Sequence, residues 1–357
     1  MKTRNTIITI LFICLLAVIP LGTIIAKLTP SEDSMSGEGG DEFAAEEENW
    51  DDITWKVRWD AFIHDGVNAF VDANPFKEPV IKANYALTKF LSGGTYMEST
   101  QVLLGKEGWL FYKTTTDGAP IKDYKGSNLY TEEELDRIYG NMLKAKEVMN
   151  SQGREFNVLL IPNKESVYAE YLPDTVGKKN NYTRYSQLID RLEKEGQIDY
   201  LDMTEALEAN KEGHQLYFRT DTHWTRMGAF LGLQTYFDRY YGNSESIDTV
   251  LFSEESGYSG DLARIANVEE YFKETDYDFV TTSADYNLYR DQVIFIVGDS
   301  FGEMMIPIAR VYYREAHFIR TEDFTMSLMD EYNPDVVVWE SVERYLSKVK
   351  DNDITSK

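Results

Sequence analysis

The rhythm of apolar and polar positions changes several times along this chain. Thr6 to Ala26 carries no charge and is long enough to cross a bilayer. From Trp55 to Leu91 the spacing turns helical, with Trp59, Phe62, Ile63, Val67, Phe70 and Val71 on one face. Asn74-Pro75 interrupts that pattern, and a second helix is predicted over Val80 to Leu91. Two apolar runs then flank Gly105-Lys106-Glu107-Gly108, which predicts a β-hairpin from Val102 to Tyr112. Trp109 in that hairpin is expected to cover a core rather than a sugar ring.

Beyond the hairpin, helical and strand patterns alternate. Thr131 and Glu134 are placed as a capping box heading a helix to about Gln152. Strand Phe156 to Ile161, a helix near Tyr182 to Glu195, strand Asp199 to Leu201 and a helix from Arg226 to Tyr241 follow. Residues 243–290 read as an irregular polar insertion. Strand Val293 to Val297, a helix to Tyr313, strand Ala316 to Ile319, a helix near Met326 and strand Val336 to Trp339 complete the series. Such alternation predicts an α/β fold, a mainly parallel sheet with helices on both faces. Ligands of these sheets bind beyond the carboxyl ends of the strands, where Asn163, Lys164, Ser300, Arg320 and Glu340 are expected.

The strand-to-helix junction Gly298-Asp299-Ser300-Phe301 is the most suggestive of these ends. A serine there meets free N–H groups and the positive end of a helix dipole, which would stabilise an oxyanion. A nucleophilic serine needs a base, and the base an orienting carboxylate. Arg219-Thr220-Asp221-Thr222-His223-Trp224-Thr225 offers both, because residues two apart in extended backbone point to one side. Asp221 or Thr225 could equally cap the helix that follows. His64, His214 and His317 sit in a helical segment, a turn and a strand, where structure explains them.

Charge and composition narrow the picture. The formal net charge of −25 and the acidic balance exclude nucleic acid as a partner. Residues 31–52 hold ten acidic side chains and no basic one, which makes a self-repelling spacer. Cys14, the single cysteine, lies in the N-terminal apolar run, so no internal disulfide forms. No HExxH or CxxC pattern occurs, and neither a metal nor a cofactor is suggested. The apolar run reads as a signal anchor, since it is long and no A-x-A site follows it. The expected organisation is a cytoplasmic tail 1–5, a transmembrane anchor 6–26, an acidic linker 27–54 and a domain 55–357. That domain has a helical lead-in, 55–100. Lys2 and Arg4 then stay inside, leaving the domain extracytoplasmic.

Together these stretches resemble the polysaccharide O-acetyltransferases related to AlgJ and AlgX, which have an SGNH-hydrolase-like domain and kinship to the DHHW proteins. Asp72-Ala-Asn-Pro-Phe-Lys-Glu-Pro79, Gly105-Lys-Glu-Gly-Trp-Leu-Phe111, Arg219 to Thr225 and Gly298 to Phe301 carry the resemblance in order. Ile161 to Tyr168 and Glu340 to Leu346 look family-like as well. The resemblance implies a three-layer α/β/α domain with Ser300 as nucleophile, His223 as base and Asp221 orienting it. Asp and His precede Ser here, the permuted order of the acetyltransferase branch. It implies transfer of acetyl groups to a cell-surface or secreted polysaccharide, with a membrane-embedded acyltransferase as the partner that supplies them. The short segment after the last strand leaves no room for a carbohydrate-binding module, which points toward the anchored AlgJ type. Asn163 and Gly260 are candidate oxyanion residues, and Lys164, Arg320 and Arg344 are candidates either for contacting substrate or for pairing with the acidic surface. A carbohydrate acetylesterase with the same triad, and a non-catalytic glycan-binding or assembly protein, stay open as alternatives.

Overall fold

The buried run around Val293 becomes one of five parallel strands, and everything else is arranged around that sheet. The computed structural model describes residues 99–115 and 117–356. The expected anchor, acidic linker and lead-in helices through Leu91, with the Asp72 to Pro79 stretch, lie outside the described residues. Among the described residues, no helix is long and apolar enough to cross a membrane.

The predicted hairpin is present, with β1 (Val102–Leu104) antiparallel to β2 (Leu110–Tyr112). Helix α1 (Glu132–Ser151) begins at Thr131 with both halves of the capping box in place. Strand β3 (Glu155–Ile161), helix α2 (Arg184–Glu195), strand β4 (Tyr200–Asp202) and helix α3 (Arg226–Tyr241) follow. After β5 (Phe252–Tyr258) and β6 (Glu274–Phe279) come β7 (Arg290–Gly298), α4 (Ser300–Tyr312), β8 (Tyr313–Arg320), α5 (Ser327–Tyr332) and β9 (Val336–Val342). The central sheet has the order β4-β3-β9-β7-β8, all parallel.

Period-two alternation on these strands sorts their side chains into two cores. Leu159, Ile161, Ile294, Ile296, Val336 and Val338 join α3 and α4 on one face. Phe156, Val158, Leu160, Phe295, Val297, Val337 and Trp339 join α1 and α2 on the other. The result is a three-layer α/β/α arrangement. Continuous apolar strands such as Val293 to Val297 belong in such a sheet because both of their faces are covered.

Two expectations are corrected. Residues 243–290 are not wholly irregular: β5 and β6 form an antiparallel pair, with a short helix at Asp261–Ile265 between them. Their sequences, Phe-Ser-Glu-Glu-Ser-Gly-Tyr on a largely exposed strand and Glu-Thr-Asp-Tyr-Asp-Phe on a half-buried one, are mostly polar and lack the apolar alternation that marks a strand. Glu340 does not stand at a strand end, because β9 continues through it to Val342, opposite Ile161. A buried carboxyl in the sheet interior stops the apolar pattern at Trp339 without stopping the strand.

Candidate active site

At the end of β7 the backbone must turn abruptly into α4, and glycine makes the turn possible. A Cβ at Gly298 would lie 2.3 Å from Glu340 Oε2, and one at Gly302 2.8 Å from the same atom. The Glu340 carboxyl fills this space and accepts the N–H groups of Asp299 and Gly302, both at 3.0 Å. Burial, reinforced by the charge of Asp299, raises its pKa well above the ordinary carboxyl value. Asp299 is the N-cap of α4, accepting from the Phe301 N–H at 2.9 Å, and its other oxygen accepts the Val342 N–H at 2.9 Å. The Glu303 N–H goes to the Asp299 carbonyl at 3.3 Å. Among the described residues, the Ser300 N–H is thus the one donor of this first turn without a protein acceptor.

The Asp221–His223 loop is held differently. A tight reversal pairs Tyr217 with Trp224, and the Thr225 N–H reaches the Leu216 carbonyl at 2.8 Å. Thr225 is the N-cap of α3, accepting from the Gly228 N–H, which leaves Asp221 free of that duty. Glu274 accepts the Arg219 and Thr220 N–H groups at 2.8 Å each. From the other side, the buried Lys164 ammonium donates to the carbonyls of Asp221 at 2.6 Å and Phe218 at 3.1 Å. Burial lowers its pKa to about 8, opposed by the surrounding carboxylates.

Neighbouring aromatics bring the two halves together. Trp224 is fully buried and its ring fills the space over Gly232, where a Cβ would come within 2.9 Å. Phe301 packs against Trp224 and His223, each with ring centroids 5.3 Å apart. The residues next to the histidine and the serine therefore pack on each other. His223 Nε2 lies 2.6 Å from Ser300 Oγ, and His223 Nδ1 lies 2.6 Å from Asp221 Oδ1. Asp221 Oδ1 also accepts the His223 N–H at 3.0 Å.

The other oxygen of Asp221 is held by residues that sequence reasoning missed. Tyr258 donates its hydroxyl to Asp221 Oδ2 at 2.7 Å, and the Asp261 N–H donates at 2.8 Å. Burial opposes ionisation of Asp221, but the hydrogen bond and charge of His223, with the Asp261 and Tyr258 donors, outweigh it and lower its pKa. Tyr258, raised by burial and by Asp221, stays a hydroxyl donor. Asp261 accepts from Thr222 and lies 3.7 Å from His223 Nδ1; burial and the charge of Asp221 raise its pKa. Asp221, His223 and Asp261 bring three potential cation ligands within 4.8 Å, but both Asp221 oxygens are already hydrogen-bonded. The only trace in the sequence was Ser259-Gly260-Asp261, and nothing local linked it to Asp221.

A cavity of about 170 Å³ opens at this point, lined by Tyr112, Asp117, Thr222, His223, Asp261, Ile265, Ser300, Arg344 and Tyr345. Asn163, Lys164, Gly260 and Arg320 are not among its walls. Asn163 is buried, accepts the Arg344 N–H at 3.1 Å and donates its own N–H to Glu343 at 2.9 Å, so it braces the loop after β9. Lys164 braces the Asp221 loop. Gly260 donates its N–H to Thr220 Oγ1 at 2.9 Å, and a Cβ there would lie 2.3 Å from Asp221 Cβ. Arg320 pairs with Glu303 at 2.6 Å on the surface. Trp109 stacks on Tyr168 and Tyr171, at 4.4 and 4.7 Å between centroids, as a buried hairpin aromatic.

Residues 102–305 match the family model described as "SGNH hydrolase-like domain, acetyltransferase AlgX". The "Probable alginate O-acetylase AlgJ" of Pseudomonas putida is 24% identical over 296 residues, covering 70% of this chain and 71% of the relative. The AlgJ of Pseudomonas syringae pv. tomato is 31% identical over 144 residues, 37% of each chain. Among solved structures, a DHHW family protein from Eubacterium siraeum superposes with a TM-score of 0.51 at 16% identity, covering 72% of this chain and 100% of that one. Bacillus cereus PatB1 with a sulfonyl adduct gives 0.51 at 14% identity, over 72% and 99%. These two likenesses agree with the α/β/α fold.

Proposed function

Because the chain belongs to the AlgX-type family of SGNH hydrolase-like acetyltransferase domains, we propose that it transfers acetyl groups to a polysaccharide through an acetyl-serine at Ser300. The observation that carries the proposal is the unbroken hydrogen-bonded line from Ser300 Oγ through His223 to Asp221, 2.6 Å at each step.

In this mechanism Ser300 Oγ attacks the acetyl carbonyl carbon while His223 Nε2 takes its proton. Asp221 holds the Nδ1–H tautomer and stabilises the imidazolium that forms. The carbonyl electron pair moves onto oxygen, and the Ser300 N–H at the positive end of α4 receives that charge. On collapse the donor's oxygen leaves with the proton from His223. A sugar hydroxyl, deprotonated by the same nitrogen, then attacks the acetyl-serine; the Ser300 Oγ–carbon bond breaks, Oγ takes the proton back from His223, and the acetyl group leaves as the sugar ester. Water in place of the sugar would make the same site an esterase.

Anchoring through residues 6–26, an extracytoplasmic domain and a membrane-embedded acyltransferase as donor belong to the same proposal. Their support is the charge-free run after Lys2 and Arg4 and the family resemblance. Incubating the full chain with an acetyl ester and a polysaccharide is expected to give acetylated glycan, and a Ser300-linked acetyl group by mass spectrometry. Free acetate alone would make it an esterase. Surface acetylation in cells left unchanged by a folded Ser300→Ala chain would end the serine mechanism and leave an assembly role.

A further inference from the structure

A single N–H is a thin oxyanion site, and Arg344 supplies what the first turn of α4 lacks. Three of the N–H groups at that turn are taken by Asp299 and Glu340, which leaves Ser300 alone. The sequence candidates Asn163, Lys164 and Gly260 are engaged in bracing loops. Among the residues lining the cavity, only Arg344 carries a permanent positive charge.

Arg344 is unusual for a structural arginine. It is only 3% exposed, and among the described residues no carboxylate lies within 4.0 Å of it. Its buried Nε has no hydrogen-bond acceptor. Burial opposes its charge, while Tyr345, through a shared hydrogen bond, and the carboxylates of Asp299 and Glu165, beyond contact distance, favour it and keep the group a cation. Its placement is nevertheless well held. Asn163 fixes its backbone N–H, and the guanidinium lies 5.1 Å from the Phe301 ring centroid and 4.9 Å from that of Tyr345. Phe301 follows the nucleophile and also packs on His223. The His223 ring and a cation with no carboxylate in contact thereby share the ring that follows Ser300 in the chain.

We propose that Arg344 is a catalytic residue whose guanidinium, together with the Ser300 N–H, binds the oxyanion of the tetrahedral intermediate. The proposal rests on the acetyl-serine mechanism above. As the Ser300 Oγ–carbon bond forms, the carbonyl π pair becomes a localised negative charge that Arg344 meets; as the leaving C–O bond breaks, the charge returns to the carbonyl. Arg344 gives up no proton at any step. A preorganised cation in a small cavity acts on the transition state more than on the neutral ester.

The test uses the full chain and the neutral ester 4-nitrophenyl acetate. Arg344→Gln is expected to slow acetyl-serine formation by about 10² to 10³-fold, with Arg344→Lys recovering part of the loss. Phenylboronic acid forms a tetrahedral anion on a serine, and its affinity should fall in parallel with the acylation rate. Arg344→Gln acylating at the wild-type rate would overturn the proposal; a raised KM for an anionic glycan alone would then make Arg344 a substrate clamp. A slower rate with unchanged boronate affinity would overturn it in favour of a packing role. Should Arg344→Gln fail to fold, the same parallel loss must appear in Arg344→Lys, and its absence there is equally decisive. No acetyl-serine in the wild-type chain would remove the underlying mechanism as well, a result distinct from wild-type acylation that ignores Arg344.

Discussion

Ser300 and His223 meet at 2.6 Å, yet the backbone around each is held by different kinds of interaction. The serine stands where the buried end of a parallel strand passes into a helix, and its immediate neighbours, Gly298, Asp299 and Gly302, shape the turn. The histidine and its aspartate stand on a loop with little regular structure. That loop depends on Glu274 and Lys164 from outside, and its carboxylate depends on Tyr258 and Asp261. The serine's position is built into a short stretch of chain. The histidine's position is assembled from side chains far apart in sequence, and it is the half where distant substitutions should reach the proposed chemistry.

The largest effect is expected at Asp221. Asp221→Asn should slow acetyl-serine formation about 10⁴-fold through loss of the correct histidine tautomer, measured by stopped-flow with a chromogenic acetyl ester. Two glycines then separate the halves. Gly260→Ala places a Cβ 2.3 Å from Asp221 Cβ and 2.7 Å from its Cα, and should cost about 10²-fold in rate as the carboxylate is pushed off its line to His223. Gly298→Ala meets the buried Glu340 carboxyl instead, and should lose about 1–3 kcal/mol of stability in urea unfolding. Equal losses of activity and stability in both variants would erase the distinction.

Smaller effects should follow from the Asp221 cradle. Tyr258→Phe removes one donor to a buried carboxylate and should slow acylation about tenfold, with the fold intact by circular dichroism. The two aspartates beside His223 also leave opposite marks on stability against pH. Burial and Asp221 hold the Asp261 pKa above its ordinary value. The folded state binds the extra proton between the ordinary and the raised value, so this group lowers stability as pH rises through that window. Asp221 is the reverse: its contribution is present above the ordinary carboxyl pKa and is lost as pH falls through the lowered one. Asp261→Asn should therefore flatten the decline on the rising side and keep the acid-side loss, as read from urea midpoints across pH. A decline unchanged by Asp261→Asn would rule out this assignment.

Much of this architecture was legible because it is local. The capping box at Thr131, the hairpin around Glu107, the β-branched run before Ser300 and the Asp-x-His spacing each express their physics within a few residues. These patterns, and the resemblance they carry, determined the α/β fold and the three residues that line up at the site. Polar strands in 243–290 were illegible because their exposed faces leave no apolar period. Glu340 was misread because a buried carboxyl ends an apolar pattern but not a strand. Tyr258, Asp261 and Arg344 gain their meaning only from contacts made across the fold. A hydroxyl, an N–H or a guanidinium advertises no partner in sequence; burial and distance assign one. The residues alone determined which atoms could react, and packing determined which charges surround them.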